Sequence, residues 1–232
     1  MNELRRNQLI ALVLLVALVV IVAENHVIST NKLILFGVLF GSIVLHEVSH
    51  GVLALAFGDS TARNAGRLTL NPIAHIDPFG SIILPAILVL AGFGAFGWAK
   101  PVPVNQANMR SPRNQGLMVS LVGPAVNIVL AVIAALALRF YGRHLIFQSD
   151  PWWALFYLGY ANVILAAFNL IPIPPLDGSA VIERMLPRAW WPRYMQLRMV
   201  SLPVIIFIVL LVPGVLGHIF NPALNWWYHL VQ

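Results

Sequence analysis

Residues 33–57 read LILFGVLFGSIVLHEVSHGVLALAF, an apolar run in which His46, Glu47 and His50 stand among aliphatic and aromatic side chains. A helix over this run is long enough to cross the roughly 30 Å of hydrocarbon in a bilayer. A glutamate between two histidines at such depth is costly, and ionisable groups inside a membrane are functional by default. The stretch therefore predicts a membrane-spanning helix that carries a functional polar cluster.

The composition of the whole chain agrees with a membrane protein. Of the 232 residues, 59% are hydrophobic and 9% are charged, whereas an ordinary soluble domain has roughly 25% charged residues. Several apolar runs are flanked by charges, Pro, Gly or Asn, and the predicted spans are about 9–23, 33–57, 116–140, 153–173 and 201–219. We therefore predict an all-α polytopic membrane protein embedded in the lipid bilayer.

The segment 81–98 decides the number of spans. It is apolar, but Pro85 interrupts it and it ends in a glycine-rich run. Lys and Arg accumulate on the cytoplasmic side of membrane spans. If the segment returns to the face that it entered, eleven of the 14 Lys and Arg lie on one side, whereas a crossing segment leaves no bias. We therefore expect five spans, a re-entrant segment and a cytoplasmic N-terminus, with a sixth span over 81–98 as the alternative.

Two short pieces beside this segment, 67–70 and 102–104, adjoin turn-forming Pro or Asn and are predicted to be extended. They could form a small sheet at the membrane face. The expected fold class is thus five to six transmembrane helices with a re-entrant segment and a small membrane-associated β element.

The pattern His46-Glu47-Val48-Ser49-His50 carries the chemistry. A spacing of four puts both imidazoles on one face of a helix, where they can take adjacent corners of a tetrahedral zinc site. The chain has no cysteine, so the ligands of any metal must be histidines and carboxylates. Glu47 can accept a proton from a water at the metal, and the expected chemistry is amide hydrolysis.

A third protein ligand is needed, and Asp177 stands apart from the other carboxylates. It lies near the end of the run NLIPIPPLDG, residues 169–178, in which prolines interrupt a helix and a carboxylate follows directly. A broken helix end at membrane depth can direct a side chain at a neighbouring helix. The other acidic residues lie at the edges of spans or in a loop.

The two motifs together resemble the site-2 protease family of intramembrane zinc metalloproteases. That family pairs an HExxH helix with a later NxxPxPxxDG segment, and the chain has HEVSH at 46–50 and NLIPIPPLDG at 169–178. The run GPAVN at 123–127 is similar to the family's GPxxN. The resemblance implies that His46, His50 and Asp177 bind one zinc ion per chain and that Glu47 is the catalytic base.

The same resemblance implies a substrate and a further site residue. The expected activity is endopeptidase cleavage in or near transmembrane segments of other membrane proteins, as in regulated intramembrane proteolysis. Asn169 is expected to donate to the oxyanion, with capping of the broken helix as an equal alternative. A zinc-binding membrane transporter and a non-catalytic membrane scaffold stay open as different functions, and Glu47 discriminates because a transporter has no use for a general base.

The sequence also indicates the setting of the site. We expect one intramembrane metalloprotease domain over 1–232 with its core at 33–178, in a compact member without PDZ or cystathionine-synthase-type regulatory domains. The scattered Lys and Arg favour orientation in the membrane over binding of nucleic acid. A multi-pass protein of the cell (inner) membrane is expected, with the active site toward the cytoplasmic side. The oligomeric state is left open.

Overall fold

The computed structural model describes residues 29–84, 87, 97–211 and 214–232, and helices dominate these ranges. The α-helices are α1 (Thr30–Ala56), α2 (Thr61–Asn64), α3 (Pro112–Tyr141), α4 (Asp150–Asn169), α5 (Ser179–Met185), α6 (Trp191–Leu211) and α7 (Val215–Val231). Shorter 3₁₀ turns are Pro72–His75, Gln106–Asn108, Gly142–His144 and Arg188–Trp190, and Pro78–Ile83 is a π-helix. The predicted helical class is confirmed.

Three helices in the described ranges are long and apolar enough to cross a membrane, namely α1, α3 and α4. They match the spans predicted at 33–57, 116–140 and 153–173. The last of these ends at Asn169 instead of 173, because Pro172 disfavours helical backbone in the residue before it. The predicted span 9–23 and most of the segment 81–98 lie outside the described residues, so the number of spans and the re-entrant segment stay predictions.

Small residues hold the bundle of α1, α3 and α4 together. Ala54, Ala134 and Ala135 are fully buried, and side chains of this size let the backbones of membrane helices approach closely. Helix α7 covers α3 and α4 with the buried indole of Trp227, whose Nε1–H donates to the Ala131 carbonyl at 2.8 Å. The bundle therefore places the three spanning helices side by side, with little side-chain volume between them.

The prediction of one continuous helix over 201–219 is wrong. The structure has two helices there, because α6 ends at Leu211 and α7 begins at Val215. Gly214 precedes α7 with a φ of +78°, a left-handed conformation that is inexpensive only for glycine. An average of hydropathy over residues 201–219 does not detect a single glycine with a left-handed backbone conformation.

The predicted β element is also not formed, since the residues described at 67–70 and 102–104 contain no strand. Val102 lies between Pro101 and Pro103, and prolines cannot donate to a ladder. The two pieces are nevertheless neighbours, because the Arg67 guanidinium donates to the Lys100 carbonyl at 2.6 Å.

Asp59 fastens the end of α1 to the loop that leads into α3. Its fully buried carboxylate accepts hydrogen bonds from the Thr61 backbone N–H at 3.1 Å, the Thr61 hydroxyl, the Asn108 amide at 2.9 Å and the Asn105 backbone N–H at 2.6 Å. Burial by itself would raise the pKa of Asp59, but these hydrogen bonds stabilise the charged form and hold the pKa below its ordinary value of 3.8.

We expect Asp59→Asn to lower the thermal unfolding midpoint in detergent by about 2–10 °C at neutral pH, because an amide cannot accept all four hydrogen bonds. A depressed carboxyl pKa gives stability that is complete above the unfolded pKa and is lost as pH falls through the folded one. The gap between wild type and variant should therefore narrow below about pH 4. The exposed Asp150→Asn is the control, and an equal loss in both variants would contradict the prediction.

Candidate active site

Helix α1 presents the HExxH residues to the interior of the bundle. The side chains of His46 and His50 are buried, with ring centroids 4.7 Å apart. Asp177 Oδ2 lies 3.0 Å from His46 Nε2 and 3.4 Å from His50 Nε2. The structure thus brings the three predicted ligands together across 131 residues of sequence.

The Nδ1 atom of each imidazole, which points away from Asp177, lies next to a hydrogen-bond acceptor. His50 Nδ1 lies 2.6 Å from the Val119 carbonyl, and His46 Nδ1 lies 2.6 Å from Asn127 Oδ1. A carbonyl oxygen can only accept, so Nδ1 of His50 carries a proton, and in the neutral ring Nε2 has the lone pair that a metal ion can bind. Metal-binding histidines are oriented by hydrogen bonds of this type.

A cation fits the point on which these atoms converge. His50 Nε2 is buried and has no hydrogen-bond partner among the described residues, although a carboxylate oxygen lies nearby. Ligand atoms about 2.0–2.2 Å from a tetrahedrally coordinated zinc are roughly 3.3–3.5 Å from one another, close to the observed 3.0 and 3.4 Å. Two imidazoles and one carboxylate are also a donor set that catalytic zinc sites use, and they leave the fourth position open.

Gly123 provides the space for this cation. A Cβ at this position of α3 would lie 2.6 Å from His46 Nε2 and 2.5 Å from His50 Nε2. Any side chain here would therefore enter the volume between the two ligand nitrogens. The sequence identified Gly123 only as part of the GPAVN run and did not reveal this role.

The break after α4 positions Asp177. The helix ends at Asn169, and the loop closes when the Gly178 N–H donates to the Asn169 carbonyl at 2.6 Å. A Cβ on Gly178 would overlap the Leu170 carbonyl, so the tight loop requires glycine after Asp177. The prediction that prolines break the helix and direct a carboxylate at a neighbouring helix agrees with this geometry.

Glu47 faces the same cavity and is held by the backbone. Its Oε2 accepts a hydrogen bond from the Val102 N–H at 2.8 Å. The flanking Pro101 and Pro103 have no N–H, so Val102 supplies the donor of this three-residue stretch. Sequence reasoning missed this partnership, although the alternation of prolines around one valine is the signal that could have indicated it.

The predicted site residues line one cavity of about 500 Å³, which includes His46, Glu47, His50, Asn169 and Asp177. The Asn169 side-chain amide donates to the Leu165 carbonyl at 3.0 Å. This bond fits the helix-capping alternative, and it uses one of the two amide hydrogens. The oxyanion role of Asn169 stays a prediction.

Comparison with known proteins places the chain in a family. Residues 143–212 match the model of peptidase family M50. A relative from Bacillus subtilis (strain 168), named "Putative zinc metalloprotease YwhC", is 38% identical over 192 residues, which are 81% of this chain and 84% of the relative. The chain belongs to peptidase family M50. No solved structure matches it.

Other M50 relatives are more distant or longer. "Putative zinc metalloprotease Rip2" of Mycolicibacterium smegmatis is 37% identical over 145 residues, and the match spans 53% of its length. "Zinc metalloprotease MJ0392" of Methanocaldococcus jannaschii is 23% identical over 157 residues, or 35% of its length. Membership of the M50 family makes this protein a hydrolase, a membrane zinc metalloprotease of the site-2 type.

Proposed function

We propose that the protein is an intramembrane endopeptidase that hydrolyses peptide bonds in or near transmembrane segments of other membrane proteins, in regulated intramembrane proteolysis. The observation that carries this proposal is the cavity that contains the HExxH residues of α1 together with Asp177. His46 and His50 lie ten and six residues before the end of α1, or about 9–15 Å along its axis. Chemistry at that depth favours substrates that are themselves in the membrane.

Each residue of the site has a proposed role. His46, His50 and Asp177 would hold one zinc ion, which lowers the pKa of water and polarises the carbonyl under attack. Glu47 would take the proton from the attacking water and deliver it to the leaving amide nitrogen. The second amide hydrogen of Asn169 would donate to the oxyanion of the tetrahedral intermediate.

The distribution of charge supports an active site toward the cytoplasmic side of the cell (inner) membrane. The Arg110 N–H donates to the Phe57 carbonyl just after α1, and the Arg113 guanidinium donates to the Arg184 carbonyl at 2.8 Å. These basic residues therefore gather at the end of the bundle that is nearer the HExxH residues, as expected for a cytoplasmic face. All residues with proposed roles lie within 33–178, which we propose as the core of one catalytic domain.

The test of this function combines zinc content with cleavage of a panel of single-span membrane proteins, using the full chain purified in detergent. We expect about one zinc per chain, cleavage within the membrane segment of some substrates, and weakened zinc binding with reduced cleavage in Asp177→Ala. Asp150→Ala, which removes an exposed carboxylate, is the control.

Two outcomes would contradict the proposal. Wild-type protein without zinc would overturn the metal site. Cleavage confined to water-soluble peptides, with every membrane protein of the panel left intact, would overturn the intramembrane substrate while leaving the hydrolase in place.

A further inference from the structure

A row of buried polar side chains runs from His46 across three helices, and we name Asn127, Asn162 and Ser42 the polar relay. Asn127 Oδ1 lies 2.6 Å from His46 Nδ1, and the Asn127 amide donates to Asn162 Oδ1 at 2.7 Å. The Asn162 amide donates to the Ser42 hydroxyl and to the Leu158 carbonyl, both at 2.8 Å. The row thus begins at His46 on α1, passes through α3 and α4, and returns to α1 at Ser42.

The polar relay is buried in an apolar helix bundle, where polar side chains are unfavourable and are expected to have a role. Asn127 and Asn162 have no exposed surface, and Ser42 is 3% exposed. Burying an amide in an apolar bundle costs free energy unless its hydrogen bonds are made. Asn162 lies outside 46–50, 123–127 and 169–178, so none of the motifs explains its presence.

The hydrogen bonds of the relay have a fixed direction. The Leu158 carbonyl can only accept, so the nitrogen of the Asn162 amide must face it and the oxygen must face Asn127. That oxygen in turn requires the Asn127 nitrogen, which turns the Asn127 oxygen toward His46. His46 must then donate from Nδ1, so that in the neutral ring the lone pair of Nε2 is available to a metal ion at the cation site.

The two histidines differ in how they obtain this tautomer. His50 is fixed directly by the Val119 backbone carbonyl, which cannot rotate. His46 faces a side-chain amide, and an amide rotated by 180° would present an N–H to the ring instead of an oxygen. A second group is therefore needed to hold Asn127 in one orientation.

We propose that Asn162 is a positioning residue of the metal centre, which fixes the orientation of Asn127 and thereby the tautomer of His46. The inference rests on the proposed role of His46 as a ligand. The competing explanation is that the relay only joins three helices. In that case its loss would lower stability and leave the zinc affinity of the folded protein unchanged.

The test measures the zinc dissociation constant of the full chain in detergent by competition with a chromophoric chelator, beside the thermal midpoint of the zinc-free protein. Asn162→Leu should weaken zinc binding by up to the roughly 10–100-fold that loss of an outer partner of a ligating histidine costs, because an Asn127 amide that turns over no longer accepts from His46. Ser42→Ala is the matched control, because Asn162 keeps its bond to the Leu158 carbonyl and Asn127 keeps its orientation. Its zinc affinity should stay within about threefold of wild type, whatever its stability.

Two further variants separate orientation from helix joining. Asn162→Asp still offers an acceptor to Asn127, so its zinc affinity should stay far closer to wild type than that of Asn162→Leu, even though a buried carboxylate lowers stability. Asn127→Leu should weaken zinc as much as the double variant Asn127→Leu/Asn162→Leu, because Asn162 acts through Asn127. If Asn162→Leu does not fold, the smaller Asn162→Ala replaces it, since it also removes the acceptor for Asn127, and weaker zinc binding than in Ser42→Ala is again expected.

The proposal is overturned if Asn162→Leu binds zinc as tightly as wild type, if Ser42→Ala weakens binding equally, or if Asn162→Asp loses as much affinity as Asn127→Leu. A failure of the metal site itself gives a different result, since wild type and His46→Ala would then bind zinc alike. The two failures are therefore distinguishable in one set of titrations.

Discussion

Gly123→Ala is expected to lose zinc and, with it, all cleavage activity. The added methyl group would lie 2.5–2.6 Å from the Nε2 atoms of both histidines, far inside the usual contact distance of carbon and nitrogen. Neither ring can turn away at low cost, because each Nδ1 is held at 2.6 Å from an acceptor. Helix α3 cannot easily withdraw either, since the interior of the bundle is closely packed.

The matched control is Gly41→Ala on α1. A Cβ at Gly41 has no heavy atom within 4 Å, so this change adds a methyl group to another helical glycine without filling the site. Metal analysis after purification should find zinc in Gly41→Ala and none in Gly123→Ala. After both variants have been stripped of metal, each should elute from a sizing column as the metal-free wild type does. A full complement of zinc in Gly123→Ala would show that the three ligand atoms do not enclose the metal at this point.

The sequence could predict that the three side chains meet because the geometry that brings them together is largely local. A spacing of four residues on a helix fixes the mutual position of His46 and His50 whatever surrounds them. The prolines after Asn169 end α4 by their own chemistry, which is why Asp177 could be identified from a run of ten residues. These predictions needed no knowledge of which helices pack together.

The rest of the site depends on packing between distant segments. Glu47 and Val102 are 55 residues apart, and nothing in either segment alone specifies the hydrogen bond between them. Gly123 has a role only because α3 lies against the histidine face of α1, and Asn162 acts only through Asn127. Hydropathy likewise predicted one helix at 201–219 where the left-handed Gly214 begins a new one.

Glu47→Gln distinguishes zinc binding from catalysis. We expect cleavage to fall by about 10²–10⁴-fold, the usual contribution of a general base, while zinc stays at the wild-type level. Glutamine has nearly the same shape, and its amide oxygen can still accept from the Val102 N–H that holds Glu47 at 2.8 Å. The variant therefore keeps the side chain in place and removes only its ability to accept a proton.

The measurement is the initial rate of cleavage of one membrane substrate, with zinc determined on the same preparations and Asp150→Asn as a control for the loss of an exposed carboxylate. A rate that falls together with zinc would mean that Glu47 supports the ligands and would leave its role as base unproved. An undiminished cleavage rate with zinc retained would contradict the role of Glu47 as the general base. Zinc binding without cleavage by the wild type would favour transport or scaffolding, because those functions use the ligands and have no need of a base. Loss of cleavage with zinc intact is the result expected if Glu47 accepts a proton during hydrolysis.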